Sequence, residues 1–282
     1  MKLPRFEYAA PATLAEAIAL LAQGNAKALA GGQSLIPTMA FRLAAPAVLV
    51  DLGKIPGLDK IQIDANSVRL GARVRWRDIE RDGRLKSAHP LLVAAIAQVA
   101  HYQIRNRGTV GGSLAHADPA AEMPGIAVTC DAEILVSGST GERIIPAGEF
   151  FTGPLSTLLA DDELVTEVRL PAWPANRRWG FEELARRRGD FAIAGVAAFY
   201  DVDGEGKASN AHIGVIGACT RPHRIAQAEA ALNGRVANAA AIQGAARAAE
   251  KAVEPPGDLH ASAAYRRSLV GTLLERALGG AQ

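Results

Sequence analysis

Two short segments of this chain set paired glycines beside hydroxyl side chains, a combination suited to holding an oxyanion. The first is Ala30-Gly31-Gly32-Gln33-Ser34-Leu35-Ile36-Pro37. The second, about 80 residues further on, is Gly108-Thr109-Val110-Gly111-Gly112-Ser113. Adjacent glycines open the backbone to a ligand and reach positive φ without steric cost, so successive N–H groups can face one anion. Ser34, Thr109 and Ser113 add hydroxyl donors, and Thr38 to Leu43 can start a helix whose N-terminal end favours negative charge. A pyrophosphate has two phosphoryl groups to satisfy. Two such loops converging on it would need no cationic side chain, and a side chain on Gly32 or Gly111 would fill space that a phosphate needs. Neither segment is the GxGxxG of a Rossmann turn or the GxxxxGK[ST] of a P-loop, which disfavours those cradles. A single Gly-Gly is more often a plain turn, and the residue types alone leave both readings open.

The elements around these loops follow from local pattern. Thr13 and Glu16 make a capping box, Leu14, Ala17, Ile18 and Leu21 share a helical face, and Gly24 can end that helix. Strand-like runs at Ala26–Ala30 and Ala47–Leu52 then flank the first loop as a small β-α-β unit. Ile61 and Ile63 against Val68 and Leu70 predict a hairpin, and Pro90–His101 predicts a helix ahead of the second loop. Strands are expected at Ala132–Val136, Glu142–Ile145 and Glu163–Leu170, followed by a proline-containing linker at Pro171–Arg177. Further strands at Ala194–Val202 and Ala211–Ala218 precede helices at Pro222–Leu232, Asn238–Val253 and Ala263–Leu278. Strands cluster and helices cluster, the pattern of an α+β fold and not of a doubly wound sheet.

The chain has 282 residues, and its 31 basic and 29 acidic side chains nearly balance. That balance points to neither nucleic acid nor a membrane surface as partner. No apolar run reaches the roughly 18 residues of a membrane span, and the N-terminus lacks the apolar core of a secretory signal, so a cytoplasmic location is expected. The two cysteines, Cys130 and Cys219, are too few and too far apart for a metal or iron–sulfur site.

The segments AGGQSLIP with Met39 and Arg42, TVGGSLAHADPAAEMP at Thr109–Pro124, RGDFA at Arg188–Ala192 and IGVIGACTRPHR at Ile213–Arg224 occur in order along the chain. Together they resemble the FAD-binding medium subunit of the molybdenum hydroxylases, the family of xanthine dehydrogenases and aerobic carbon monoxide dehydrogenases. The resemblance implies a two-lobed FAD-binding domain of the PCMH-type at residues 1–174, with lobes of about 1–56 and 57–174. A small α+β C-terminal domain with an antiparallel sheet and helices would follow at 175–282.

By the same resemblance Ala30, Gly31, Gly32, Gln33, Ser34 and Leu35 would wrap the pyrophosphate and ribityl region, and Thr109, Gly111, Gly112 and Ser113 would close the other side. Asp118 and Glu122 would reach the ribose and adenosine end, with a turn or cap as the alternative for Asp118. Asp190 and Phe191 would lie near the isoalloxazine ring, Phe191 standing where similar proteins often have tyrosine, and Val165 is a candidate ring contact or a core residue. His116 is expected to fix its loop by hydrogen bonding, and the FAD to be non-covalent. No residue is assigned a catalytic role. In the family, a molybdenum–pterin centre on a large subunit and iron–sulfur clusters on a small subunit feed electrons to the flavin, which passes them to an external acceptor. The cysteine count also argues against the benzoyl-CoA-reductase branch, whose flavin subunit carries an extra cluster. The expected assembly is a heterotrimer able to dimerise. A self-contained flavin oxidoreductase of the same fold is the alternative. Substrate and terminal acceptor (quinone, cytochrome, oxygen or NAD) stay open.

Overall fold

The Thr13 hydroxyl accepts from the Glu16 amide, and the Glu16 carboxylate accepts from the Thr13 amide. This closed capping box starts the first helix of the computed structural model, which describes residues 2–281. The N-terminal lobe contains β1 (Glu7–Ala9), α1 (Leu14–Leu21), β2 (Ala26–Leu29), α2 (Leu35–Ala40) and β3 (Val48–Asp51). Gly24, at φ 83°, makes the left-handed turn out of α1. Strands β1 and β2 both pair in parallel with β3, giving the order β1-β3-β2. All three strands therefore end at the same edge, and the first glycine loop leaves that edge from β2 into α2.

The second lobe carries the predicted hairpin, β4 (Ile61–Ile63) with β5 (Ser67–Gly71), in the register Ile61↔Leu70 and Ile63↔Val68. Helices α3 (Trp76–Arg81), α4 (Leu85–Ala88), α5 (Pro90–Ile96), α6 (Tyr102–Arg105), α7 (Val110–His116) and α8 (Glu122–Thr129) come next. The lobe ends with β6 (Glu133–Gly138), β7 (Gly141–Pro146), α9 (Ala147–Phe150), β8 (Phe151–Gly153), β9 (Ser156–Thr157) and β10 (Leu164–Pro171). Its main sheet is antiparallel, in the order β4-β5-β10-β6-β7. The helix expected over Pro90–His101 stops at Ile96, and Ala100 takes φ 42°.

The remaining chain forms β11 (Arg177–Leu184), β12 (Ala194–Val202), β13 (Ala208–Ile216) and β14 (His223–Arg224), then α10 (Ala226–Leu232), α11 (Ala239–Ala252) and α12 (Ala263–Gly279). The strands make an antiparallel sheet in sequence order. Both of its faces are covered, and alternation along β12 divides them. Val196, Ala198 and Tyr200 join the core under the helices, whereas Ala197 and Phe199 join the core of the second lobe. The whole architecture is α+β.

The segment expected to be a loose linker is a fixed joint. Trp173 lies between His89 and Phe199, with ring centroids 4.6 and 5.4 Å away, and the Arg177 guanidinium sits 4.1 Å from the Phe199 centroid. Across the same seam His212 Nδ1 is 2.8 Å from the Thr129 carbonyl oxygen, and Arg224 donates to Asp131 at 2.8 Å.

Buried Arg266 on α12 holds the inner end of the C-terminal sheet. It donates to the carbonyls of Ile193 at 2.5 Å and Gly217 at 2.7 Å, and to Asp258 at 2.6 Å, which holds that carboxyl down at about 2. Arg266→Met would leave both carbonyls unpaired in a buried setting. It is expected to cost about 2–4 kcal/mol and to lower the thermal midpoint by about 5–10 °C, measured by calorimetry.

Candidate cofactor-binding site

The first glycine loop presents a run of free donors. Among the described residues, no protein acceptor takes the amide hydrogens of Gly31, Gly32, Gln33, Ser34 or Leu35; the first helical bond of α2 is from the Ile36 amide to the Gly32 carbonyl. Gly32 adopts φ 72°, the left-handed conformation on which backbone anion nests are built. The Gln33 amide group donates back to the Gly31 carbonyl at 3.1 Å and steadies the turn. Ser34 occupies the cap position of α2, yet its hydroxyl caps nothing. Unpaired main-chain donors in a partly buried loop are uncommon, and a phosphate's oxygens are suited to satisfy them.

The second glycine segment is not a loop of free amides. Gly111 and Gly112 lie in the first turn of α7, and every amide there is already engaged. Val110 donates to the Val74 carbonyl, Gly111 to Ala72, Gly112 to the Thr109 hydroxyl at 3.2 Å, and Ser113 to the Thr109 carbonyl. Its glycines serve packing. A Cβ on Gly111 would lie 2.6 Å from the Ala72 Cβ and 3.0 Å from the Ala72 carbonyl oxygen. The space a side chain on Gly111 would fill is thus taken by the protein and is not a phosphate site. The part of this segment that approaches the first loop is Gly112, and the Ser113 hydroxyl next to it has no partner among the described residues.

The two segments do meet. A side chain on Gly31 would run into the carbonyl of Arg107, and the Ala30 Cβ lies 3.9 Å from the position a Gly112 Cβ would take. Ala30 and Gly31 of the first segment therefore meet Arg107 and Gly112 where the two lobes join. Sequence reasoning missed Ala72, Val74 and Arg107, whose main-chain carbonyls fix this convergence, because carbonyls carry no sequence signature.

The other candidates are placed less uniformly. Asp118 Oδ1 accepts from the Ala120 amide at 2.9 Å, the Asx turn that was its alternative reading. Glu122 opens α8, where burial pushes its carboxyl up to about 8, helped by Glu183 and Asp118 nearby. Val165 is 5% exposed in the core of the second lobe, so it can be at most the back wall of a site. Asp190 and Phe191 follow Gly189, which at φ 91° lies against the backbone of Ala100, and Phe191 is 66% exposed above that seat. His116 makes no side-chain hydrogen bond among the described residues. Its loop is held instead by the left-handed Ala117 and by the Leu155 amide on the Ala117 carbonyl.

Two α+β lobes that meet at a loop of free amides, with a third sheet packed on the second lobe, make a framework suited to holding a phosphate-bearing ligand. Residues 4–173 match the family described as the FAD binding domain in molybdopterin dehydrogenase, and residues 179–281 match the CO dehydrogenase flavoprotein C-terminal domain. The nicotine 6-hydroxylase medium subunit of Paenarthrobacter nicotinovorans is 40% identical over 99% of this chain and 98% of its own length. Carbon monoxide dehydrogenase from Hydrogenophaga pseudoflava superposes with a TM-score of 0.95 at 39% identity, covering 99% of this chain and 98% of that one. Quinoline 2-oxidoreductase from Pseudomonas putida 86 does so at 0.94 and 38%, with the same coverage. The chain belongs to the FAD-binding medium subunits of the molybdenum hydroxylases.

Proposed function

We propose that this chain holds FAD non-covalently in the cleft between its lobes, with the amides of Gly31–Leu35 on the pyrophosphate. The single observation that carries the reading is that run of five unpaired donors. Ala30, Ser34, Thr109, Gly112 and Ser113 line the cradle, and Gly111 supports it from behind. Asp118 and Glu122 stand toward the ribose and adenosine end, Asp190 and Phe191 toward the ring, with Val165 behind. FAD, once bound, would supply the chemistry of passing electrons one or two at a time. The protein's part is to neutralise phosphate charge with fixed dipoles, to exclude water from the cleft, and to hold the cofactor between the first 174 residues and the C-terminal part from 175 onward.

The electrons would come from iron–sulfur clusters on a small partner subunit, supplied by a molybdenum–pterin centre on a large one, in a cytoplasmic heterotrimer able to dimerise. The medium-subunit relatives support this division of labour. Among the described residues no helix is long and apolar enough to cross a membrane, and no group of three or more His, Cys, Asp or Glu is placed to hold a metal. Expressed alone, the chain is expected to show the two flavin absorption bands and to release stoichiometric FAD on denaturation. A colourless chain that takes up no added FAD would overturn the reading. Flavin reduction by a small organic substrate without any partner would favour the self-contained oxidoreductase.

A further inference from the structure

The C-terminal sheet sends an acidic side chain, Glu183, into its seam with the second lobe. Along β11, Trp179 and Phe181 pack against the core of the second lobe, and Glu183 is the next residue on that face. Opposite it on β12 is Gly195, where a Cβ would lie 3.1 Å from the Glu183 Cβ and 2.8 Å from Ile216 Cγ1. Ile216 in turn abuts Gly125 of α8, and Glu183 is close enough to Glu122, at the head of that helix, for its charge to bear on it. Glu183 Oε2 is buried and has no hydrogen-bond partner. Among the described residues neither glutamate has a cation within 4 Å. Such a buried oxygen is costly to leave unbonded, and the two preceding residues on the same face are apolar.

We propose that Glu183 is a cofactor contact from the C-terminal domain, its neutral carboxyl group donating a hydrogen bond to an oxygen or nitrogen of bound FAD. This rests on the FAD reading above. An ionised carboxylate would repel the dinucleotide's phosphates, whereas the acid form donates. Burial raises the Glu183 carboxyl to about 7; the charged group coupled to it is Glu122, with Asp118 beyond, and on β12 it stands opposite Gly195, next to Ile216 of β13. No cation is at hand to draw it back into the ionised state.

The sign of the pH dependence follows. Below pH 7 the donor is in place, and FAD affinity is constant; above it the proton must be restored on binding, and the FAD Kd rises by up to about tenfold per pH unit. The test is titration of FAD into the deflavinated full-length chain between pH 6 and 8.5. At pH 6, E183L is expected to bind FAD about tenfold more weakly, and E183Q, which keeps an N–H donor, within threefold of wild type. E183Q should also lose the rise that begins near pH 7, leaving any that begins near pH 8 to Glu122. Wild-type affinity in E183L at pH 6, or an unchanged pH profile in E183Q, would overturn the proposal while the FAD reading stands. Failure of the wild-type chain to bind FAD at any pH would remove both.

Discussion

Gly32→Val is expected to lower FAD affinity about a hundredfold while the chain stays folded. Gly32 sits at φ 72°, a conformation that a β-branched residue adopts only at a cost of about 1–2 kcal/mol. Its Cβ would also press on Ile36 Cγ1 at 3.2 Å and Leu29 Cδ1 at 3.3 Å. Both neighbours are ends of flexible side chains, so the lobe can absorb the bulk. The backbone relieves its strain by leaving the left-handed region, and that rotation turns the Gly32 and Gln33 amides away from the cleft. Hydrogen bonds to a charged acceptor contribute about 1.5–3 kcal/mol each, so losing one or two gives the stated change in Kd. Isothermal titration with FAD, paired with circular dichroism to verify the fold, reads both halves of the expectation. A Kd within threefold of wild type would show that this turn does not present the phosphate donors.

Gly111→Val is expected to fail differently, by unfolding the second lobe. The added side chain has no free space, because the Ala72 Cβ, Cα and carbonyl oxygen all lie within 3.0 Å of where its first carbon would be. Making room means breaking the Gly111 amide bond to the Ala72 carbonyl, and the adjoining Val110 bond to Val74, both at the base of α7. Overpacking of about 1–3 kcal/mol, added to two lost buried hydrogen bonds, comes to roughly 4 kcal/mol or more. The thermal midpoint should fall by more than about 10 °C, or the protein should be insoluble. A variant melting at the wild-type temperature yet unable to bind FAD would return Gly111 to the phosphate site and remove the packing account.

The contrast between two similar glycine pairs marks how far the sequence is legible. Local chemistry was readable wherever a few neighbouring residues settle the outcome. Thr13 with Glu16 starts a helix, Gly24 ends it, and the alternation of Ile61 and Ile63 against Val68 and Leu70 sets a hairpin register, because each depends on bonds made within a few residues. Helix α8 was not predicted, since Met123 to Thr129 are buried on every side and leave no amphipathic period to detect. The helix predicted over Pro90–His101 ends early at a left-handed Ala100, the seat on which Gly189 rests, and no residue type announces that contact. Glu183 went unnoticed because both faces of its sheet are covered, which blurs the alternation that would have assigned it to the seam.

The sequence by itself determined the inventory: hydroxyls beside paired glycines, ordered motifs spanning nearly the whole chain, and too few cysteines for a resident cluster. Those are properties of residue type and order, and they suffice for class and family. Only the tertiary structure decided which of the two glycine segments has amides to spare. A main-chain N–H is a donor whatever its residue, and whether it is free depends on carbonyls brought to it from elsewhere in the chain. Ala72 and Val74 reach Gly111 and Val110; among the described residues no acceptor reaches the amides of Gly31 to Leu35, and they stay available to a ligand's oxygens.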